Sequence, residues 1–197
     1  MNSPLKLLMK SPLFLGSQSP RRQQLLSEMG LEFSVLNIDD LEEKYPKKLT
    51  SREVPTYLSN LKAKALYELM PDKKGILITA DTIVVIDDVI LGKPLNREEA
   101  KRMLAKLSGN THAVVTGVTL KSSLKTISFS DTTQVTFRKL TEIEIDYYVD
   151  NYSPYDKAGA YGIQEWIGIV GISRIAGSYF NVVGLPTEKL YRELLHF

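Results

Sequence analysis

The strongest chemical signal lies in the stretch LGSQSPRR, residues 15–22. Ser19 is a typical helix N-cap and Pro20 a typical first helical residue, so Arg21 and Arg22 fall in the first turn. The backbone N–H groups already make this end of a helix positive, and each added cation there costs about 0.3–1 kcal/mol. We therefore expect a bound anion, and phosphate suits guanidinium forks that bind two oxygens at once. The alternative is a pair of ordinary exposed arginines.

A carboxylate in an apolar run is the second signal. Asp81 stands within ITADTIVVI, residues 78–86. An ionised carboxylate among aliphatic side chains is costly unless a cation or hydrogen-bond donors hold it. We therefore expect Asp81 to be functional rather than a solvated residue at the end of a strand. Thr82, the next residue, could equally be a β-branched filler of the strand.

The acidic run DDLEE, residues 39–43, lies on a predicted loop. Together with Asp81, Glu42 and Glu43 would provide the hard oxygen ligands that Mg²⁺ prefers, with positions left for water and phosphate oxygens. Four acids on a loop are more often a solvated turn, so this interpretation depends on the pairing with Asp81.

Three lysines are further candidates for phosphate contact. Lys62 and Lys93 also fit the plain interpretation of solubilising surface residues. Lys157 stands in SPYDKAGAYG, where glycines allow the backbone to approach a ligand closely. His112 and His196 form neither a metal pair nor a catalytic triad, and we expect His112 to be structural.

The absent motifs and the residue types that remain restrict the reactions this chain could catalyse. The chain contains no GxxxxGK[ST] and no GxGxxG motif, which removes the main signal of P-loop hydrolases and of dinucleotide binders. What remains is carboxylates, basic side chains and glycines. This set suits metal-assisted attack of water on a phosphate ester or anhydride.

Composition excludes several classes of protein. The 197 residues include no cysteine, so disulfides, thiol catalysis and thiolate-bound zinc are excluded. The formal net charge is only +2, with both signs interspersed, which argues against a nucleic-acid partner. No apolar run reaches membrane length. We therefore expect a soluble, cytoplasmic protein with neither a nucleic-acid nor a membrane partner.

Periodicity and capping signals predict the elements that position these residues. Predicted helices cover residues 20–29, 50–70, 96–107, 141–151 and 186–195, and residues 156–164 read as a loop with a short helix. Predicted strands cover residues 11–16, 31–38, 75–92 with a turn at 87–88, 111–120, 125–130, 132–137 and 166–175. The irregular alternation, without a repeat or a linker, predicts an α/β fold with a mixed sheet and flanking helices, in a single domain over residues 1–197.

Six motifs, in order, look like the motif set of the Maf nucleotide pyrophosphatases: SQSPRR, ADTIVV, LGKP, LSGNTHAVVTGV, DKAGAYGIQ and GSYFNVVGLP. The resemblance runs from about residue 12 to residue 197. It implies a fold similar to the inosine triphosphate pyrophosphatases, elongated and bilobed with a deep cleft, and a homodimer. The implied reaction is hydrolysis of a nucleoside triphosphate to the monophosphate and pyrophosphate with a divalent cation, Mg²⁺ or Mn²⁺.

The resemblance also implies roles for individual residues. Asp81 would be the catalytic residue, acting as general base or as a metal ligand with Glu43. Contacts to phosphate or metal would come from Ser17, Arg21, Arg22, Lys62, Lys93 and Lys157. The one local departure from the family pattern is Glu165–Trp166, where many relatives have a small residue.

The resemblance also implies which substrate is preferred, through the residues at three positions of this sequence. Arg21, Thr82 and Gln164 match the branch acting on dTTP and UTP rather than the branch directed at 7-methyl-GTP. An amide can both donate and accept, as the edge of uracil or thymine requires, so we expect Gln164 and Thr82 to read the base. The rival hypotheses are a nucleotide-binding regulator of cell division with little turnover, and a family member that prefers 7-methyl-GTP.

Overall fold

The computed structural model describes residues 11–38 and 41–197. Asp39 and Asp40 of the predicted acidic run lie outside the described residues. The strands are β1 (Leu13–Leu15), β2 (Phe33–Val35), β3 (Ile76–Ile86), β4 (Val89–Leu91), β5 (Thr111–Lys121), β6 (Thr126–Phe137) and β7 (Ile172–Ala176). The helices are α1 (Pro20–Glu28), α2 (Val54–Leu69), α3 (Arg97–Leu107), α4 (Glu142–Tyr152), a 3₁₀ turn (Ala158–Ala160), α5 (Trp166–Gly171), α6 (Tyr179–Val183) and α7 (Thr187–Leu195).

The strands form a mixed sheet in the order β2-β1-β3-β5-β6-β7, with β4 paired to β3. Strand β1 is parallel to both neighbours, with Leu13 opposite Phe33 on β2 and Ile76 on β3. The β3–β4 and β6–β7 pairs are antiparallel. The predicted α/β fold with a mixed sheet and flanking helices is therefore confirmed.

The chain folds into two compact units. Of the described residues, unit 1 contains 11–38, 41–81, Thr116–Asp131 and Gly184–Phe197, and unit 2 contains Thr82–Val115 and Thr132–Val183. Within the part of the chain that the structure describes, no helix is both long enough and apolar enough to span a membrane.

In unit 1, helix α2 lies directly on the sheet. Its Ala63 and Leu66 pack into a buried cluster with Phe14 and Leu77. A side chain at Gly117 would place its Cβ 2.3 Å from the backbone carbon of Pro55, so only glycine allows this close approach. The position of α2 matters because this helix carries Lys62.

Unit 2 has its own core, formed where α3, α4 and α5 cover the sheet. Fully buried members include Leu104, Phe137, Tyr148 and Ile167. Two of its helices start as the sequence predicts. Asn96 Oδ1 accepts a hydrogen bond from Glu99 N at 2.9 Å, and Thr141 forms a capping box with Glu144.

The predicted strand over residues 166–175 is wrong in its first part. Trp166–Gly171 is helical, and only Ile172–Ala176 is extended. The carbonyl of Glu165 accepts hydrogen bonds from Gly168 N and Ile169 N at 2.9 and 3.2 Å, which starts the helix. Its buried residues, Ile167 and Gly171, lie four positions apart on one helical face, so tertiary packing overrides the β propensity of the isoleucines.

Two smaller predictions also differ from the structure, and one short helix was not predicted. Residues 125–130 and 132–137 were expected as separate strands but belong to one strand, β6, which continues through Ser130 and Asp131 without a turn. Helix α2 begins at Val54, with Glu53 as N-cap, rather than at the predicted cap Thr50. Thr50 does bond the Glu53 carboxylate, but within the preceding turn. Helix α6 had no sequence signal strong enough to predict it.

Candidate active site

The junction between β1 and α1 places the predicted anion site in unit 1. Arg21 and Arg22 lie in the first turn of α1, as predicted, and Ser19 is the N-cap. Ser17 Oγ accepts hydrogen bonds from Ser19 N at 3.3 Å and from Arg22 Nη1 at 3.2 Å. Arg22 Nε donates to the carbonyl of Gly184 at 2.9 Å. Two nitrogens of the Arg22 guanidinium are therefore bonded within the protein, which holds the group in one orientation.

Asp81 is buried in the middle of β3 and has the cation that its position demands. Lys62 Nζ, from α2, lies 2.6 Å from Asp81 Oδ1 and 3.1 Å from Glu43 Oε1. The side chains of Lys62 and Asp81 are 16% and 13% exposed, whereas that of Glu43 is 47% exposed. The lysine thus bridges the two carboxylates that were expected to hold a metal ion.

The register of α2 against β3 explains this pairing. Two residues before Asp81 on β3, Thr79 Oγ1 donates to the carbonyl of Ser59 at 2.7 Å. Residues two apart on a strand share a face, and residues three apart on a helix are neighbours. The Thr79–Ser59 and Asp81–Lys62 contacts are therefore successive steps of one interface.

Arg22 shares the electrostatic environment of this group. Burial lowers the pKa of Arg22, Asp81 opposes that shift, Arg21 lowers the pKa further, and Glu43 opposes it again. We call Arg21, Arg22, Glu43, Lys62 and Asp81 the Asp81 cluster. It brings guanidinium and ammonium groups together with two carboxylates in unit 1, and these are the groups that can contact phosphate oxygens and a metal ion.

The same cluster decides whether a divalent cation fits. Among residues 11–38 and 41–197, no group of three or more His, Asp or Glu side chains could hold a metal ion. Mg²⁺, however, is commonly bound by one or two carboxylates together with waters and substrate phosphates. Asp81 and Glu43 meet this requirement. Asp81 Oδ2 accepts no hydrogen bond from any described residue, so it is available to a metal ion or a water molecule.

Unit 2 brings together the segments of two other predicted phosphate ligands. Gly159 N donates to the carbonyl of Gly92 at 3.0 Å, which joins the Lys157 loop to the segment carrying Lys93. Lys93 is exposed. Lys157 is buried and pairs with Asp156 at 2.7 Å. The two lysines therefore differ sharply in their freedom to move.

The predicted base-reading residues lie in different settings. Thr82 follows Asp81 on β3, and successive strand side chains point to opposite faces of a sheet, so the structure does not place these two on one face. Gln164 is exposed after the Lys157 loop. Its Nε2 lies 3.1 Å from the position that a Cβ on Gly162 would occupy. The missing side chain of Gly162 makes room for the Gln164 amide.

Sequence reasoning missed the partners of Lys157. Glu165 Oε1 lies 3.1 Å from Lys157 Nζ, and the hydroxyl of Tyr148 donates to Glu165 Oε2. Tyr148 OH also accepts a hydrogen bond from Gly162 N at 3.0 Å. The only available signal was that Glu165 departs from the family pattern. We call Tyr148, Lys157, Gly162 and Glu165 the Lys157 cluster.

His112 is structural, as expected. It is buried, its Nε2 forms a hydrogen bond of 2.8 Å with Tyr161 OH, and its ring stacks on Phe137. Burial lowers the pKa of His112 to about 4, so the imidazole is neutral near pH 7.

Comparison with known proteins gives close relatives over almost the whole chain. A dTTP/UTP pyrophosphatase of Porphyromonas gingivalis is 52% identical over 191 residues, covering 96% of this chain and 96% of the relative. One of Parabacteroides distasonis is 50% identical over 193 residues, covering 98% and 100%. Among solved structures, a HAM1 protein from Coxiella burnetii has a TM-score of 0.49 at 15% identity, covering 95% of this chain and 100% of that one. Residues 12–197 match the model of the family described as Maf-like protein, and the chain therefore belongs to that family.

Proposed function

We propose that this chain is a nucleoside triphosphate pyrophosphatase, a hydrolase that converts dTTP and UTP to the monophosphate and pyrophosphate. Relatives about half identical over nearly the whole chain are named dTTP/UTP pyrophosphatases. The observation that carries the proposal is the Asp81 cluster. In it the buried carboxylate of Asp81 pairs with Lys62, and the same carboxylate raises the pKa of Arg22 against the effect of burial. This arrangement suits hydrolysis of a phosphate anhydride.

The cations of the cluster bind the triphosphate. Ser17 and the carbonyl of Gly184 orient Arg22, so its positive charge is held in place for the triphosphate at little entropic cost. Arg21 adds a second guanidinium in the same helical turn. Lys62 neutralises the carboxylates before substrate arrives and can then turn one of its N–H groups toward a phosphate oxygen.

A divalent cation, Mg²⁺ or Mn²⁺, would be held by Asp81 and Glu43 with phosphate oxygens and water. When bound, it would neutralise charge on the phosphates and act as a Lewis acid. Lys62 would then share its two carboxylate partners with this ion. Removing the divalent cation with a chelator should abolish turnover, and adding Mg²⁺ or Mn²⁺ back should restore it.

The chemical step uses water. The oxygen of water attacks the α-phosphorus, the bond from this phosphorus to the bridging oxygen of pyrophosphate breaks, and the water gives up its protons. Asp81 Oδ2 orients the water or accepts a proton from it, while Oδ1 is held by Lys62. The cations of the cluster stabilise the negative charge that develops on the leaving pyrophosphate.

Base selection is assigned to Gln164, with Thr82 and Arg21 as further predicted determinants. The exposed amide of Gln164 can donate one hydrogen bond and accept another, which matches the imide edge of uracil and thymine.

The resemblance to the family also leads us to propose a cytoplasmic homodimer. Sedimentation of the purified chain and cell fractionation test these two points.

A panel of triphosphates tests the function. The full chain with Mg²⁺ is incubated with dTTP, UTP, dCTP, dATP, GTP and 7-methyl-GTP, and pyrophosphate release is measured. We expect kcat/KM for dTTP and UTP to exceed that for the purine triphosphates at least about tenfold, since a site that pairs with a polar edge rejects the wrong edge strongly. A preference for 7-methyl-GTP contradicts the pyrimidine assignment. Binding of dTTP without pyrophosphate release supports the regulatory rival instead.

A further inference from the structure

We propose that Glu165 is a positioning residue of the nucleotide site, one that orients Lys157 for phosphate and, through Tyr148, the loop carrying Gln164 for the base. The inference rests on the proposed function, since phosphate and base are the ligands it concerns. All of its contacts lie within unit 2.

The first arm of the proposal is the Glu165–Lys157 pair. Lysine has a long flexible side chain that binds phosphate as a point charge, so its usefulness depends on being held in one place. Lys157 has two carboxylate neighbours, Asp156 at 2.7 Å and Glu165 at 3.1 Å. The Asp156 side chain is 56% exposed, whereas that of Glu165 is 20% exposed and that of Lys157 is 9% exposed. Glu165 is therefore the better fixed of the two partners.

The second arm runs through Tyr148. This side chain is fully buried, and its hydroxyl donates to Glu165 Oε2 while accepting from Gly162 N. Burial raises the pKa of Tyr148, and the carboxylate of Glu165 raises it further, so the phenol keeps its proton and remains a donor. Both carboxylate oxygens of Glu165 are thus engaged, one by Lys157 and the other by Tyr148.

Gly162 connects the Tyr148–Glu165 contact to Gln164, the residue proposed to read the base. A Cβ on Gly162 would lie 2.8 Å from Cδ of Glu165 and 3.1 Å from Nε2 of Gln164. The carboxyl group and the amide therefore pack against the same glycine. A shift of Glu165 moves the hydroxyl that holds Gly162 N, and Gln164 moves with that loop.

The main test is Glu165→Gln in the full chain, which keeps the shape of the side chain and removes its charge. We expect KM for dTTP and for UTP to rise about tenfold with kcat within about twofold of the wild type, since the loss falls on substrate binding. Glu165→Asp, which keeps the charge on a shorter side chain, should recover part of this loss. Tyr148→Phe should lower the ratio of kcat/KM for dTTP to that for dATP at least about threefold.

Glu144→Gln is the matched control. Glu144 pairs with Arg138 at 2.6 Å in the same unit, and neither residue belongs to the Lys157 cluster. Its loss should lower the melting temperature without changing KM. If Glu165→Gln behaves like this control, with KM unchanged, its role is structural only and the proposal is overturned. Unchanged base discrimination in Tyr148→Phe overturns the link to Gln164.

Calorimetric titration with dTTP separates this inference from the proposed function. If the wild type releases no pyrophosphate but binds dTTP, the proposed function fails. A weaker affinity of Glu165→Gln for dTTP then supports the positioning role, and an equal affinity overturns it. A wild type that neither turns over nor binds any triphosphate overturns both.

Discussion

The Asp81 cluster and the Lys157 cluster both pair a lysine with carboxylates, yet they are built differently. Lys62 joins a loop residue, Glu43, to a strand residue, Asp81, across a long stretch of sequence. Lys157 pairs with its chain neighbour Asp156 and with Glu165, only eight positions further along. The first arrangement requires three separate elements to meet, whereas the second is local to one loop and the start of one helix.

The difference in solvent access suggests a difference in role. Glu43 is half exposed and Asp81 Oδ2 has no hydrogen-bond donor among the described residues, so the first cluster can exchange partners when a ligand arrives. In the second cluster both oxygens of Glu165 are occupied and Tyr148 is fully buried. Under the proposed function, we therefore expect Lys62 to exchange partners when substrate binds and Lys157 to be held in place beforehand.

The largest expected effect on activity comes from a change in the Asp81 cluster. Asp81→Asn should lower kcat for dTTP by at least about a thousandfold, because an amide is a poor metal ligand and a poor acceptor for the proton of water. Pyrophosphate release with saturating Mg²⁺ measures this loss, and circular dichroism checks the fold. Asp88→Asn is the matched control, since Asp88 lies in the exposed β3–β4 turn at a positive φ that asparagine also adopts. Near-normal turnover in Asp81→Asn would contradict the proposed mechanism.

A smaller loss is expected from Arg22→Lys, which keeps the charge. Lysine has no equivalent of the guanidinium that bonds Ser17 and the carbonyl of Gly184 together, so the cation is no longer oriented. We expect kcat/KM for dTTP to fall about a hundredfold, the scale of losing one preorganised hydrogen-bond donor to a transition state. The paired variant Arg21→Lys shows whether orientation matters at both positions. Unchanged kcat/KM in both variants would indicate that the pair is ordinary surface charge.

The smallest effect concerns pH and the buried His112–Tyr161 pair in unit 2. The hydroxyl of Tyr161, four residues after Lys157, bonds neutral His112. The pKa of His112 is about 4 in the folded chain and about 6.5 when unfolded. The unfolded state therefore binds more protons between these values, and stability is complete above about pH 6.5 and falls toward pH 4.

Linkage puts this loss at about 2 kcal/mol between pH 7.5 and pH 5. Urea unfolding at the two pH values measures it. In His112→Gln, whose amide keeps a hydrogen-bonding group near Tyr161, the part of the pH dependence due to this residue should disappear. An equal decline in the wild type and in this variant would show that His112 does not cause it.

Local rules predicted much of the secondary structure. The Ser19–Pro20 start of α1, the Asn96 cap and the Thr141 capping box depend on neighbouring residues and occur as expected. The α5 region failed because Ile167 and Gly171 pack on one helical face, which β propensity does not reveal. Helix α6 is only five residues long and has no strong cap or period.

The sequence by itself determined that Asp81, in an apolar strand, needs a compensating cation, and that phosphate suits Arg21 and Arg22 at the start of a helix. Only the tertiary structure decided that Lys62 is this cation. It also decided that Glu165 and Tyr148 hold the Lys157 loop. The physical reason is the distance along the sequence over which each effect acts. Desolvation cost and helix capping depend on residues close in sequence, whereas the partner of a side chain depends on the register in which helices pack on strands.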